Sequence, residues 1–292
     1  EIRECIGCNI CIASWHDGIP IRCTQNATVG EEWRKNWHPE TFIKTSNSEH
    51  ILIVGGGPAG LEAALTAARQ GHQVTLSEKA SDVGGRINFE AGLPGLNAWR
   101  RVKDYRLYLM NQLGNVGIYC DSEMTATDVM DFGADRVVVA TGATWQKTLY
   151  STLEIPQGEL SADNVFTPSD VANGQLPEGR VLVYDHDNFY MGGVIAEHLS
   201  IQGCDVTYAT PAGHASAWTI MTNEQPQIHQ ALHRSGVPVH TLALLTSFDN
   251  SRVELQNIFT QAPWEIEIDA VLIVGLRSPN HNLFDELEIA AS

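Results

Sequence analysis

One glycine-rich turn constrains the fold more than any other feature of this 292-residue sequence. The apolar run HILIV at 50–54 is followed by Gly55, Gly57 and Gly60, and then by a stretch of helical character that stops at Gly71. The pattern G-x-G-x-x-G between a strand and a helix is typical of a dinucleotide-binding βαβ unit. Its first glycine makes the tight turn, its second lets the backbone approach a pyrophosphate, and its third lets the helix pack on the strand.

A second strand follows this helix and ends in an acidic side chain. The run HQVTLSE stops at Glu78, which is placed to bind the ribose hydroxyls of a nucleotide and which disfavours a 2′-phosphate. The diphosphate would lie where Pro58 and Ala59 begin the helix, because free amides and the helix dipole favour anions there. The motif therefore predicts a bound ADP moiety, and leaves open whether it belongs to FAD, NAD or free ADP.

Two later turns are also candidate cofactor contacts. The first follows Glu78 closely, where flavoprotein chains commonly pass the diphosphate, and the second follows the buried strand RVVV. Their members are Gly84, Gly85 and Arg86 in the first turn and Ala140, Thr141 and Gly142 in the second. The second turn resembles the crossover motif of flavoprotein reductases with two dinucleotide domains.

Four of the six cysteines are concentrated near the start of the sequence, at Cys5, Cys8, Cys11 and Cys23. The spacing C-x2-C-x2-C-x11-C lets three thiolates surround a compact group and lets a fourth close the cage from a short loop. Four thiolates arranged in this way are typical of a [4Fe–4S] cluster, which predicts these four cysteines as its ligands. Such a cluster also implies a reducing, cytoplasmic setting.

Other interpretations of the cysteines fit less well. A structural zinc site usually has two paired cysteine motifs, and the second pair is missing here. A disulfide framework is typical of short secreted chains, and a Cys-x-x-Cys redox pair would leave Cys11 and Cys23 without a role. The isolated Cys120 and Cys204 are predicted to be buried small hydrophobic residues.

The second half of the sequence repeats the βαβ pattern with a different turn. A strand at 181–184, a helix over about 190–202 and a strand at 205–209 are predicted. Asp185 and Asp187 occupy the first two glycine positions of the turn, where carboxylates would repel a diphosphate and block its approach. We therefore expect a Rossmann-like unit that is retained for packing and does not bind a nicotinamide.

The remaining pattern predicts an α/β fold: an N-terminal cysteine-rich cluster loop followed by two Rossmann-like domains and truncated at the C-terminus. The expected domains are the cluster segment at 1–47 and the ADP- or FAD-type nucleotide-binding domain at 48–150. The degenerate NAD(P)H-type domain follows at 151–280, and the start of a return to the first domain at 281–292. Further predicted elements are helices at 97–113, 124–132 and 215–236 (interrupted near Pro226) and strands at 116–120, 237–247, 252–259 and 264–275. A net charge of −17 makes nucleic-acid and membrane-surface partners poor candidates.

Taken together, these motifs resemble the segment that follows the barrel in trimethylamine and histamine dehydrogenases. These enzymes are iron–sulfur flavoproteins related to old yellow enzyme and to 2,4-dienoyl-CoA reductase. The likeness runs from the cysteines and 23–40, through the glycine turn and the LPGL loop at 93–96, to the turn at 185–193. The C-x2-C-x2-C spacing fits the amine dehydrogenases, because the dienoyl-CoA reductases have three residues between the second and third cysteines.

The resemblance implies a full-length protein with an N-terminal FMN barrel in which an amine is oxidised. Electrons would pass one at a time to the [4Fe–4S] cluster and then to an electron-transfer flavoprotein. In the amine branch the glycine turn and Glu78 hold ADP, whereas in the reductase branch they hold FAD and the second half binds NADPH. Asp185 and Asp187 fit the amine branch.

We therefore expect this chain to be the electron-transfer and nucleotide-binding part of such a dehydrogenase, which is a homo-oligomer in its full-length form. The chain starts at Glu1 within the cysteine motif, and we expect a partial chain that lacks the barrel, has no catalytic residues and does not oxidise amines alone. Two alternatives remain: an NAD(P)H-dependent FAD/FMN/[4Fe–4S] reductase, or a non-catalytic fragment that binds ADP and a cluster.

Overall fold

The structure is a computed structural model that describes residues 3–31, 33–34, 41–151, 153, 155–160 and 162–291. Its helices are α1 (Ile10–His16), α2 (Pro58–Gln70), α3 (Arg86–Glu90), α4 (Arg101–Met110), α5 (Ala126–Phe132), α6 (Pro168–Ala172), α7 (Tyr190–Ile201), α8 (Gln225–Arg234) and α9 (Asn282–Ala291). Its strands are β1 (His50–Val54), β2 (Gln73–Ser77), β3 (Val116–Tyr119), β4 (Arg136–Val139), β5 (Ala143–Trp145), β6 (Thr148–Tyr150), β7 (Pro156–Glu159), β8 (Val165–Phe166), β9 (Arg180–Asp185), β10 (Asp205–Ala209), β11 (Val239–His240), β12 (Ala243–Phe248), β13 (Arg252–Asn257), β14 (Pro263–Glu267), β15 (Ala270–Val274) and β16 (Arg277–Pro279).

A parallel sheet in the order β3-β2-β1-β4 forms the centre of the first half. The central strand β1 is apolar and buried after its first residue, His50, as a strand covered on both faces requires. Leu52 and Ile53 on β1 are fully buried, and so are Leu61 and Leu65 on α2, which packs against the sheet. The packing of α2 sets its N-terminus at the carboxyl end of β1, where parallel sheets commonly bind ligands.

The second half has its own parallel sheet, in the order β11-β10-β9-β15-β8. Helix α7 packs on it through fully buried Met191, Ile195 and Leu199, which follow a helical spacing. A three-stranded antiparallel sheet, β12-β13-β14, joins the core on the other face. The predicted α/β class with two parallel Rossmann-like sheets is confirmed.

The chain returns to the first half near its end. Strand β16 pairs antiparallel with β5, so residues 277–279 lie beside residues 143–145. Helix α9 then packs beside α5, with Leu283 and Leu287 against the core of the first half. The segment at 281–292, predicted to begin this return, is therefore helical as far as it is described.

The cysteine segment packs across both halves. Ile6 is buried in the core that contains β9 and α7, and the Asn9 side-chain amide donates to the Thr222 carbonyl over 2.9 Å. On the other side, the Arg101 guanidinium donates to the Cys5 carbonyl over 2.6 Å. The segment is thus held by contacts to α4 and to the loop before α8.

Several predicted elements differ from the structure. The helix expected over 215–236 is a 3-10 turn at Ala217–Ile220 followed by α8, and Pro226 lies in the first turn of α8, where proline is tolerated. The single strand expected at 264–275 divides into β14 and β15, because the first belongs to the antiparallel sheet and the second to the parallel one. The helix expected at 97–113 begins as a 3-10 turn and ends at Met110.

Helices in the described parts of the chain are all too short or too polar to cross a membrane.

Candidate functional site

The glycine turn closes tightly against the start of α2. Gly55 has a φ of 108°, a backbone conformation that favours glycine, and a Cβ there would collide with the Ala140 carbonyl oxygen. A Cβ on Gly60 would collide with the Gly55 carbonyl oxygen. These two glycines therefore let the strand, the helix and the turn after β4 approach one another, which is the role that the sequence predicts for them.

Gly57 is different, because it faces open space. It is the N-cap of α2, Pro58 occupies the first helical position, and a Cβ on Gly57 would meet no described atom within 4 Å. Helix α2 has 13 residues, so its N-terminal amides carry the partial positive charge of a full helix dipole. An anion can approach this backbone closely, which is what a diphosphate site needs.

Glu78 lies directly beneath this turn. Its side chain is buried, Oε2 accepts a hydrogen bond from the Gly56 amide over 2.6 Å, and Oε1 accepts one from the Ala80 amide over 2.8 Å. The predicted acid therefore lies beside the glycine turn and braces the loop. A carboxylate has about four lone-pair sites, so these two bonds leave capacity for ribose hydroxyls.

The loop at 84–86 lies against the same turn. The Gly84 amide donates to the Gly56 carbonyl over 2.8 Å, and a Cβ on Gly85 would lie 3.1 Å from the Gly57 Cα. Arg86 is half-exposed, and its guanidinium pairs with the Glu90 carboxylate one helical turn later, at 3.4 Å. Burial raises the pKa of Glu90, and the Arg86 charge partly offsets that rise.

The small-residue turn after β4 completes the site. The Ala140 amide donates to the Val54 carbonyl over 2.8 Å, which places this turn beside the end of β1. Asn280 holds Thr141 and Gly142 in place. The Thr141 hydroxyl donates to the Asn280 backbone carbonyl over 2.5 Å, and the Asn280 backbone amide donates to the Gly142 carbonyl over 2.9 Å. The structure thus brings the glycine turn, Glu78 and both later turns together.

The turn of the second half is filled from inside the protein. Asp185 is fully buried, and its carboxylate accepts hydrogen bonds from the Tyr208 hydroxyl and, over 2.9 Å, from the Asn188 amide. A Cβ on Gly192 would collide with the Asp185 carboxylate, and the Gly193 amide donates to the Ser216 hydroxyl over 3.2 Å. Side-chain acceptors therefore occupy the space and one of the amides that a diphosphate would use.

This geometry corrects one part of the sequence argument. Asp185 does not point toward a ligand in the open turn; it points inward, and burial raises its pKa to about 7. Burial also raises the pKa of Asp187, which the Arg277 and Arg86 charges partly offset. The turn is closed to a diphosphate mainly because protein side chains already bind the Asn188 and Gly193 amides and fill the space at Gly192. Exposed negative charge is the lesser cause.

All four cysteines of the N-terminal motif are free thiols, at or near the surface. The Cys8 Sγ lies 2.9 Å from the Thr24 hydroxyl, so the first cysteine pair meets the loop of Cys23. Backbone amides donate to two of the sulfurs, Gly7 to Cys5 over 3.3 Å and Asn26 to Cys23 over 3.4 Å. Amide donors around the sulfurs of a motif are characteristic of iron–sulfur sites.

The sulfurs are not gathered into a closed cage. Within the described ranges, no three histidine, cysteine or acidic side chains are placed to hold a metal ion. Four uncommitted thiols with amide donors beside two of them suit a [4Fe–4S] cluster chemically, and closing the cage would require side-chain movement. Cys120 and Cys204, predicted as buried, are half-buried and pack at the edges of the two main cores.

The family model that describes pyridine nucleotide-disulphide oxidoreductases matches residues 49–292. The chain belongs to the pyridine nucleotide-disulphide oxidoreductase family. The match covers both Rossmann-like halves of the chain and begins one residue before β1, so it does not include the cysteine segment.

Three individual relatives are similar to nearly the whole chain. Dimethylamine dehydrogenase of Hyphomicrobium sp. (strain x) is 36% identical over a 317-residue alignment that covers 99% of this chain and 43% of that protein. Histamine dehydrogenase from Rhizobium sp. 4-9 has a TM-score of 0.94 at 41% identity, covering 99% of this chain and 45% of that one. The 6-hydroxypseudooxynicotine amine oxidase from Pseudomonas geniculata N1 also has a TM-score of 0.94, at 39% identity, covering 99% and 44%.

The chain spans less than half the length of these relatives. The resemblance to trimethylamine- and histamine-dehydrogenase-like enzymes is confirmed, and the relatives of this chain are oxidoreductases.

Several residues that support the two turns or the cysteine segment were not predicted from the sequence. Asn280 follows a short crossing strand and carries no motif, although it holds the turn at 141–142. Ser216 and Tyr208 lie far from Asp185 in the sequence, and only the fold brings them together. Arg106 could have been noticed in the sequence, because it is an arginine at a position of the buried, otherwise apolar stripe of α4.

Proposed function

We propose that this chain is the electron-transfer and nucleotide-binding part of an iron–sulfur flavoprotein amine dehydrogenase. The observation that carries the proposal is the pairing of an open glycine turn at Gly57 with a four-cysteine segment packed on the same nucleotide unit. Relatives that match over 99% of the chain are named for the oxidation of amines. In the whole protein, an FMN-bearing barrel would supply the electrons.

We propose ADP as the nucleotide. The α2 N-terminus and the Gly57 backbone would bind the diphosphate, and Glu78 would bind the ribose hydroxyls while it braces the Gly56 amide. The turn formed by Ala140, Thr141 and Gly142 would line the same site. In this proposal the nucleotide is a structural ligand that consolidates the first half and does not react.

The four cysteines would hold a [4Fe–4S] cluster. When bound, such a cluster accepts and passes on single electrons. The protein positions the segment through the bond from Arg101 to the Cys5 carbonyl and through Ile6, which is buried in the core. An electron-transfer flavoprotein is the acceptor that we propose for the whole enzyme, and six free thiols suit a reducing compartment such as the cytoplasm.

The second half has a structural role in this proposal. Its closed turn supports a Rossmann-like unit that does not bind NAD(P)H, which favours the dehydrogenase over the reductase alternative. The chain alone is expected to oxidise no amine, since the flavin that would receive the electrons belongs to another domain. Amine-dependent reduction by the isolated chain, followed at the flavin and cluster absorption bands, would contradict this.

The ligand assignment can be tested with one cysteine inside the motif and one outside it. Cys11→Ser should remove most of the protein-bound iron and most of the broad absorption near 400 nm, because a hydroxyl is a poor replacement for a thiolate ligand. Cys204→Ser is the matched control, since Cys204 lies in the second half and donates to the Pro177 carbonyl over 3.3 Å. Equal loss of iron in both variants would contradict the assignment.

A further inference from the structure

A buried arginine connects the cysteine segment to the nucleotide helix. Arg106 on α4 is 4% exposed; its Nε donates to Glu62 Oε2 over 2.7 Å, and one terminal nitrogen donates to Gln25 Oε1 over 2.9 Å. Glu62 lies on α2, whose N-terminus faces the candidate nucleotide site. Arginine can only donate hydrogen bonds, so this contact fixes which end of the Gln25 amide faces Arg106.

The other end of that amide is unusual. Gln25 is 2% exposed, and its Nε2 finds no hydrogen-bond acceptor among the residues that the structure describes. Its backbone carbonyl is also bound, by the Arg3 guanidinium, so the residue is held at two points. A buried amide donor without an acceptor loses its hydrogen bond to water and gains none in the protein, which native structures rarely tolerate without a reason.

The unpaired donor lies in the loop where the two arms of the cysteine motif meet. Gln25 follows Cys23 by two residues, and Thr24 between them contacts the Cys8 sulfur at 2.9 Å. The Cys23 sulfur already accepts the Asn26 amide at 3.4 Å, so the loop presents hydrogen-bond donors toward sulfur. Because Cys23 lies in this same loop, a cluster bound by the cysteines would bring sulfur acceptors to the loop that carries the unpaired donor.

We propose that the Gln25 side-chain amide donates a hydrogen bond to a sulfur of the bound iron–sulfur cluster, and that Arg106 positions it to do so. The inference rests on the proposed function, since it requires the cluster. A hydrogen bond to sulfur stabilises the more negative, reduced cluster and raises its reduction potential. Arg106 is a positioning residue here, and the pair Arg106–Gln25 tunes the electron carrier from outside the four cysteines.

Gln25→Met tests this directly, because methionine has a similar length and offers no N–H donor. We expect the cluster to be retained, and the ratio of reduced to oxidised cluster at a fixed potential to fall about tenfold, which equals a shift of about 59 mV for one electron. The readout is a redox titration followed by the EPR signal of the reduced cluster, at matched iron content. Gln202→Met, at the end of α7, is the control and should not shift the midpoint.

A second variant guards against loss of the fold. Gln25→Glu keeps an oxygen for Arg106 and removes the N–H donors, so it should retain the fold and the iron; because its added negative charge lowers the midpoint potential by itself, the size of the shift is taken from Gln25→Met. In the unmodified protein, labelling the glutamine side-chain amides with ¹⁵N should give a nitrogen coupling to the reduced cluster in ENDOR spectra. A midpoint unchanged in an iron-loaded variant, or no such coupling in the unmodified protein, would overturn the inference. Unmodified protein that takes up no iron would instead overturn the proposed function.

Discussion

The two halves of this molecule use the same βαβ unit in opposite ways. In the first half, Gly57 caps α2 and faces open space, so the helix amides are available to a ligand. In the second half, Asp185 accepts the Asn188 amide and Ser216 accepts the Gly193 amide, so the corresponding helix start is bound by the protein itself. Both halves nevertheless keep a parallel sheet, a packed helix and a buried core.

The difference between the two halves shows that a βαβ unit can fold without forming a binding site. A strand, a turn and a helix bury the same apolar surfaces whether or not the turn binds an anion, because the core lies beneath the turn. Binding depends on a few atoms: amides that remain free and space that remains empty. In the second half both conditions fail, since a Cβ on Gly192 would collide with the Asp185 side chain, whereas one on Gly57 meets nothing.

The largest expected effect tests the open turn. Gly57→Ala should reduce nucleotide bound to the purified chain by at least about tenfold, because the added methyl group would occupy the place of the diphosphate. The thermal midpoint of the nucleotide-free chain should change little, since that methyl group meets no described atom within 4 Å. Gly213→Ala, in an equally open position of the second half, should retain full nucleotide content. If Gly57→Ala retained its nucleotide, the open turn at Gly57 would not be what distinguishes the first half as a binding site.

The next effect concerns the closed turn. Asp185→Ala should lower the free energy of unfolding by about 2–3 kcal/mol, because the Tyr208 hydroxyl and the Asn188 amide lose their buried acceptor. The measurement is urea unfolding, and Asp205→Ala on the exposed start of β10 is the control, expected to stay within about 0.5 kcal/mol. A double-mutant cycle with Tyr208→Phe should show coupling between the two residues. Additive losses would mean that the network does not act as a unit.

The last effect is a pH dependence, which is the smallest of the three over a single pH unit. Burial raises the pKa of Asp185 from an ordinary value of 3.8 to about 7, so in this window the folded chain binds a proton that the unfolded chain has released. The stability due to this group is therefore fully present below pH 3.8 and is lost as the pH rises to about 7. Relative to Asp185→Asn, the unmodified chain should lose up to about 1.4 kcal/mol of unfolding free energy for each pH unit. A stability difference that stays constant with pH would contradict the buried assignment.

Much of the fold was predictable from the sequence because its signals are local. The glycine turn, the acid at Glu78 and the Ala140–Gly142 turn each follow an apolar strand, and the structure brings them together at the end of β1. The division of 264–275 into two strands was not predictable in the same way. Two adjacent apolar segments look continuous in the sequence, and only the tertiary fold assigns them to different sheets.

The site was predictable where it depends on backbone and less so where it depends on distant side chains. Glycine spacing reveals a turn, but the inward orientation of Asp185 depends on Tyr208 and Ser216, which reach it only through the packing of β10 and the loop after it. The number and spacing of the cysteines predict a cluster. Among the described residues, the cysteine side chains are not arranged as a closed set of metal ligands. Gln25 carried no sequence signal, because its role depends on Arg106 from α4.

The most direct test of the account is to denature the purified chain and to identify and count the nucleotide that it releases by mass spectrometry. We predict one ADP per chain, held by the first half, and no nicotinamide nucleotide. Release of FAD, or of a second nucleotide per chain, would contradict it, because the first result favours the reductase alternative and the second requires the turn at Asp185 to be open.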